Sequence, residues 1–337
     1  MAGPNRIRGP QSSVMHAIDR LAAIAIRVDG RRLGIFPDGW GDRSLLDATP
    51  PLIGPDDPIP EIEIVWGRKE ENRGYRVRRG SFTSPSSFDL PIETRAVPLE
   101  MIEPAAGTNR VVVLMPAWND HGFETRRKMA HLLVARGVAA AMFDIPFYGA
   151  RRIVPQPAQA IRTVSDFMLM GTGAIQEARA LLAALRADKR VGVSGYSMGG
   201  NVAALVSATV PFSVATSVHA ASYSPGPVYL DGILSRAIRW EALGGKEASA
   251  ELRERLSAVS VLALPVLDHH RAATMVSATR DGFVPPWASE ALHRHWPGCE
   301  LEWIEAGHAT LINRHAEALA DAIVRAFDRT ETRAGSQ

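Results

Sequence analysis

A serine flanked at two residues on either side by glycine, Gly195-Tyr196-Ser197-Met198-Gly199, follows a short apolar run (Arg190 to Val193) and precedes NVAALVSATV, a stretch rich in small residues that suits the start of a helix. A serine on such a strand-to-helix turn sits in a strained backbone. Side chains at Gly195 and Gly199 would collide with the neighbouring helix and strand, so glycine is the residue type the turn requires. The helix beginning just past Ser197 aims its free N–H groups and dipole at negative charge developing on a substrate. The chemistry this predicts is nucleophilic attack by a serine hydroxyl.

A serine hydroxyl is a poor nucleophile near neutral pH and needs a base held in turn by an acid. Both partners follow in chain order. TMVSATRDGFVPP places Asp281 in a loop after one apolar run, and LEWIEAGHATLI places His308 in a loop after the next. The carboxyl ends of parallel strands share one sheet edge, so Ser197, Asp281 and His308 are expected to converge there. The oxyanion formed on attack needs two backbone N–H donors, assigned to Met198, next after the nucleophile, and to Trp118 in the loop PAWNDHGFE that follows the run VVVLM. Pro116 and Ala117 stand where this loop usually carries a His-Gly pair.

Other groups compete for these roles. Asp268 also lies upstream of His308 but precedes the TMVSA run instead of following it. His269, His270, His293 and His295 show neither an HExxH pattern nor a carboxylate spacing that would make a metal site, so no metal and no cofactor are expected. His121 and His219, each near the end of an expected strand, are candidates to line the pocket without acting as the base.

The elements that must position these residues are legible as a change of period. From Glu61 the runs EIEIVW, YRVRRGSF and IETRAVPLEMI alternate in part and read as antiparallel edge strands, whereas VVVLM is apolar throughout, as a strand covered on both faces should be. After Val111, helical stretches (Phe123 to Arg136, Ala174 to Asp188, Ala288 to His295, Ala316 to Asp328) alternate with short apolar runs (Val138 to Phe143, Arg190 to Val193, Ser213 to His219, Thr274 to Ala278, Leu301 to Ile304). This predicts an α/β fold with a doubly wound, mostly parallel sheet and antiparallel N-terminal edge strands. Between residues 221 and 265 the alternation lapses into helix-like segments, read as a cap over the carboxyl edge of the sheet. Residues 1–60 are read as an amphipathic helix, with Val14, Ile18, Leu21 and Ala25 facing inward, and an irregular connector dense in Gly, Pro and Asp. The main domain is expected over 61–330 and a flexible tail over 331–337.

The 337 residues carry 38 Lys plus Arg against 36 Asp plus Glu, a balance that gives no electrostatic reason to expect a nucleic-acid partner. One cysteine, Cys299, cannot form an internal bridge, which fits a reducing compartment. No run approaches the roughly 18 apolar residues of a membrane span, and no cleavage site follows the first helix, so a cytoplasmic setting without an integral membrane segment is expected. Oligomeric state is not legible.

GYSMGG, the ATRDGFVP loop, EAGHA and the DIPFYGAR turn, in which Asp144 and Gly149 match a D-x-x-G-x-G-type turn, resemble the α/β-hydrolase superfamily. RRGSFTSP, IPFYGARR, VSDFMLMG, GYSMGGN and WPGCELEWIEAGH resemble, in the same order, the family of abhydrolase domain-containing protein 18. The resemblance implies an α/β-hydrolase fold with Ser197, Asp281 and His308 at the triad positions, and a serine at the elbow argues against the aspartate-based chemistry of haloalkane dehalogenases and epoxide hydrolases. The expected activity is cleavage of a carboxylic ester or thioester through an acyl-enzyme on Ser197. An apolar, lipid-like acyl group is suggested by Trp118, Phe147, Tyr148, Tyr223, Tyr229 and Trp240 near the pocket and cap. The alternatives are a non-catalytic binding protein of the same fold and acyl transfer by the same three residues. Residues 1–60 are expected to be dispensable for acyl-enzyme formation.

Overall fold

Val111, Val112 and Val113 expose none of their surface, and a strand apolar on both faces can be satisfied only inside a sheet covered by helices on both sides. A computed structural model describing residues 15–28, 34–48, 52–86, 90–153 and 161–335 has that arrangement. The strands are β1 (Val65–Asn72), β2 (Tyr75–Thr83), β3 (Ala96–Pro104), β4 (Arg110–Met115), β5 (Ala139–Phe143), β6 (Arg190–Tyr196), β7 (Ala215–His219), β8 (Thr274–Ala278) and β9 (Glu300–Ile304). They form one sheet in the order β1-β2-β3-β5-β4-β6-β7-β8-β9. The first three strands and the β3–β5 pair are antiparallel, and from β5 onward every pair is parallel. The chain is thus a doubly wound α/β-hydrolase fold with antiparallel N-terminal edge strands.

The helices are α1 (Ala17–Val28), α2 (Arg43–Ala48), α3 (Glu124–Val134), α4 (Val164–Leu185), α5 (Met198–Thr209), α6 (Ser249–Ala258), α7 (Pro286–His295), α8 (His308–Arg314) and α9 (Ala316–Ala334). On one face of the sheet α4 packs on α5; on the other, α3 packs on α9. Between β7 and β8 the chain makes short helical turns over 227–248, then α6, then two further turns over 261–263 and 268–272.

Four expectations change. The helix expected from Ala174 starts ten residues earlier at Val164, where the Thr163 hydroxyl caps it by accepting the N–H of Asp166 at 3.0 Å. Gly171 and Gly173 lower helix propensity there, but Gly173 packs closely against Pro146, and tertiary contact overrides propensity. The last helix continues beyond Asp328 to Ala334, because Glu331 pairs with Arg110 and Arg190, each at under 3 Å, so the expected tail begins later; residues 336–337 lie outside the described residues. Packing shows no break at residue 60: Ile35, Phe36, Trp40, Leu46 and Ile53 are buried with the main core, and Ile35 bridges to Ile238.

The fourth change concerns α1. Ile18 and Leu21, expected to face inward, are 41% and 65% exposed, as is Ile24 at 56%, while Asp19 and Ala23 are buried. Val14 lies outside the described residues. The helix is oriented by two loop N–H groups that need an acceptor, at Gly282 and His308, and Asp19 supplies it. Leaving such donors unpaired in the interior costs about 1–3 kcal/mol each.

Candidate active site

Ser197 sits between β6 and α5 at φ 58° and ψ −118°, a conformation L residues rarely adopt. The turn closes tightly enough that a Cβ on Gly195 would lie 2.3 Å from the backbone of Gly199, and one on Gly199 would lie 2.5 Å from the carbonyl of Met115 at the end of β4. The Ser197 N–H donates to the carbonyl of His219 on the neighbouring strand at 2.9 Å, which ties the elbow to β7.

Asp281 follows β8 and His308 follows β9, both at the carboxyl edge. The structure brings the three residues together: His308 Nε2 lies 2.9 Å from Ser197 Oγ, and His308 Nδ1 lies 2.7 Å from Asp281 Oδ2. The other Asp281 oxygen accepts the N–H groups of Phe283 at 2.8 Å and Val284 at 2.9 Å, so the carboxylate is held from two sides. The imidazole lies beside the rings of Phe283 and Tyr196, with centroids 4.8 and 5.1 Å away. The Tyr196 hydroxyl donates to the His308 carbonyl. Burial, with the charges of Asp281 and Asp19, keeps that phenol protonated far above its ordinary range. Burial pulls the His308 imidazole toward the neutral form, but the charge and hydrogen bond of Asp281, helped by the charge of Asp19, outweigh it and leave the pKa raised.

Trp118 and Met198 line the same cavity as Ser197 and His308. The loop carrying Trp118 is fixed from below. Asn119, at φ 59°, donates its N–H to the Tyr148 hydroxyl at 3.2 Å. Asp120 pairs with the buried Arg126, which also donates to the carbonyls of Leu114 and Phe143 at the ends of β4 and β5. In the DIPFYGAR turn, Arg151 is fully buried in a two-bond pair with Glu177 of α4 and donates to the carbonyl of Asp144. Sequence reading missed these ion pairs and Asp19; their partners are distant in the chain or carry no recognisable spacing.

The competing residues lie elsewhere. Asp268 pairs with Arg333 and Arg271 at the surface. His269, His293 and His295 each hydrogen-bond a carbonyl through Nε2, to Ser207, Cys299 and Leu264. His270 accepts the N–H of Leu267 and stacks on Trp296. Among the described residues no three His, Cys, Asp or Glu side chains converge where a metal ion could sit. His219 and His121, read as candidates to line the pocket, do not line the cavity at Ser197. His219 is fully buried, bonded to Ser217 Oγ and pushed down to about 3 by that burial, with a smaller push from Arg325. His121 accepts the N–H of Gly149.

The cavity is about 290 Å³ and runs from Ser197 between α4, α5 and the inserted segment. Its walls are Phe167, Met168, Met170 and Ile175 of α4, Val202 and Leu205 of α5, and Val228, Tyr229, Leu234 and Val259 of the insertion. Of the six aromatic residues expected there, Trp118 and Tyr229 line it; Phe147, Tyr148, Tyr223 and Trp240 do not. The apolar lining comes mainly from helices whose pattern looks like ordinary core. Beneath the elbow a second cavity of about 60 Å³ touches Asp120, Arg126 and His219.

This sheet, with a serine at the β6–α5 turn and the carboxylate and imidazole on the loops after β8 and β9, defines the class as the α/β-hydrolases. The chain belongs to the family described as alpha/beta hydrolase domain containing 18, whose model matches residues 53–263 and 246–329. Among solved structures it is similar to an acetyl xylan esterase from a Paenibacillus species, at 12% identity and a TM-score of 0.56 over 83% of this chain and 98% of that one. It is similar also to acetyl xylan esterase 1 from a Thermoanaerobacterium species (15% identity, TM-score 0.51, 86% and 97% covered). A third is carboxyl esterase 2 from the fungus Tuber melanosporum (11% identity, TM-score 0.50, 94% and 99% covered). At these identities the likeness speaks to fold. No helix among the described residues is long and apolar enough to cross a membrane.

Proposed function

We propose that this protein is a serine hydrolase that cleaves a carboxylic ester or thioester with an apolar acyl group. The observation that carries the reading is the chain of short contacts from Asp281 through His308 to Ser197 at the mouth of an apolar cavity. Ser197 Oγ attacks the carbonyl carbon while His308 Nε2 takes its proton, and Asp281 holds the imidazole and stabilises its positive form. The tetrahedral oxyanion accepts the N–H groups of Met198 and Trp118. His308 then protonates the leaving alcohol or thiol as the intermediate collapses to the acyl-enzyme. A water, deprotonated by the same imidazole, releases the acid and restores Ser197. A chain with one cysteine fits a reducing, cytoplasmic setting for this activity.

The acyl group lies in the cavity between α4 and α5. Each buried methylene contributes about 0.8 kcal/mol, which raises kcat/KM roughly fourfold per methylene until the cavity is filled. A series of p-nitrophenyl esters from acetate upward tests this, with Ser197→Ala as the control. The expected result is a rise with chain length to a plateau, all of it lost in the variant. A flat profile or a preference for acetate overturns the apolar acyl group; turnover that survives in Ser197→Ala overturns the nucleophile.

A further inference from the structure

A buried carboxylate outside the triad reaches the two loops that carry its acid and its base. Asp19 of α1 is 0% exposed. Its Oδ2 accepts the main-chain N–H of Gly282, the residue after Asp281, at 2.9 Å, and the main-chain N–H of His308 itself at 2.8 Å. One oxygen thus fastens the loop after β8 to the loop after β9. The other, Oδ1, is buried with no hydrogen-bond partner among the described residues, an arrangement that an apolar packing contact would not need.

A glycine lies at each contact point, Gly282 itself and Gly307 just before His308, and both are crowded by α1 and the two residues that lead into it. A Cβ on Gly282 would lie 2.9 Å from the Met15 side chain and 3.1 Å from Asp19 Cβ. One on Gly307 would lie 2.4 Å from His16 Cβ and 2.9 Å from Asp19 Oδ2. His16 adds a main-chain bond to the carbonyl of Arg280 at 3.1 Å and a side-chain contact to Thr310. The helix is therefore seated through its polar edge on the residues that flank Asp281 and His308.

We propose that Asp19 is a positioning residue of the hydrolase: it fixes the separation of the Asp281 and His308 loops and sets a second negative charge beside the imidazolium that forms when Ser197 attacks. This rests on the reading of Ser197 as the nucleophile. The ionisable groups around the pair are Asp281 on the loop after β8, Tyr196 at the end of β6, His16 beside α1, and Arg280 with its partner Glu305. Of the carboxylates, Asp281 and Asp19 raise the His308 pKa. Asp19→Asn keeps an oxygen that can accept both N–H groups and removes the charge, whereas Asp19→Ala removes both functions.

The test is the rate of covalent labelling by a fluorophosphonate as a function of pH, for the full-length wild type, Asp19→Asn, Asp19→Ala and Ser197→Ala, with thermal unfolding of each. Expected are a wild type labelled through Ser197, an Asp19→Asn profile whose acidic limb moves to lower pH because one carboxylate no longer favours the imidazolium, and an Asp19→Ala rate lower by about tenfold or more across the profile. A merely structural helix would leave the limb of Asp19→Asn in place. A labelled wild type with an Asp19→Asn profile superimposed on it and an Asp19→Ala rate unchanged overturns this proposal alone. A folded wild type that is not labelled overturns the nucleophile assignment, and this proposal with it.

Discussion

Ser197 and Asp19 meet the same histidine by opposite kinds of interaction, Ser197 at its imidazole and Asp19 at its main-chain N–H. The elbow is local: Gly195 to Gly199 carry its geometry within five residues, and the strain at Ser197 is held by backbone on both sides. The seat of α1 is non-local, joining Asp19 to Gly282 and His308 across 263 and 289 residues of chain through one carboxylate oxygen. A local device leaves a pattern in the sequence and tolerates almost no change. A non-local one leaves no pattern and can be loosened without unfolding the domain.

The largest expected effect tests the local side. Ser197→Ala and His308→Ala each lower kcat by about five orders of magnitude or more, since the members of such a set act as a unit. Both abolish fluorophosphonate labelling with little change in thermal unfolding. Loss in one variant with near-normal turnover in the other would separate the two residues and undo the chain of contacts through Nε2.

Next comes a pair of glycine substitutions that sets the two regions against each other. In Gly195→Ala the new methyl meets backbone at 2.3 Å, which cannot yield, so we expect a stability loss of about 1–3 kcal/mol and labelling slower by about a hundredfold. In Gly307→Ala the methyl meets the His16 side chain and the Asp19 carboxylate, both on an element that can lift away. Labelling should slow by about tenfold, with the midpoint of global unfolding nearly unchanged and α1 newly open to proteolysis. If Gly307→Ala unfolds the domain as readily as Gly195→Ala, the distinction between rigid elbow and detachable helix fails. The expectation that residues 1–60 are dispensable for acylation is revised by the same contacts: removal of α1 should slow labelling.

This contrast explains what was legible. The serine motif, the loops that carry Asp281 and His308, and each strand or helix of the alternation are written in unbroken runs of neighbouring residues, so the fold and the three convergent side chains could be read ahead of the structure. The role of α1 could not. Ile18 and Leu21 belong to the apolar face that a periodicity argument turns inward, but the stronger demand comes from two loop N–H groups that no linear pattern announces. The cavity wall was obscured for a related reason: Phe167, Met168 and Ile175 belong to a long helix whose apolar residues look like core, and only the tertiary gap beside Ser197 makes them a surface.

A smaller effect is expected in pH dependence. The carboxylates around His308 hold its pKa above the ordinary 6.5 against the opposing pull of burial. Because the imidazole must be neutral to accept the Ser197 proton, the acidic limb of kcat/KM should fall above pH 6.5. The sign for stability is the reverse. A raised folded pKa contributes stability fully present below the unfolded value and lost as pH rises through the folded one. Thermal unfolding of wild type against His308→Gln should therefore show a difference at pH 5 that shrinks by pH 9. A limb at or below pH 6.5 would mean that burial wins over the two carboxylates.

The smallest expected effect falls on the outer side of α1. Leu21 and Ile24 are 65% and 56% exposed, so replacing both with Gln removes little buried surface and should leave stability within about half a kcal/mol and labelling within about twofold. Ala23 lies on the opposite side of the same helix at 2% exposure, packed with the main core. Ala23→Gln pushes a larger polar side chain into that contact and should lift the helix, reproducing the slow labelling of Gly307→Ala while sparing global stability. If the Gln pair at Leu21 and Ile24 were the damaging change and Ala23→Gln the silent one, α1 would be seated by its apolar face, and the carboxylate bridge at Asp19 could not be what orients it.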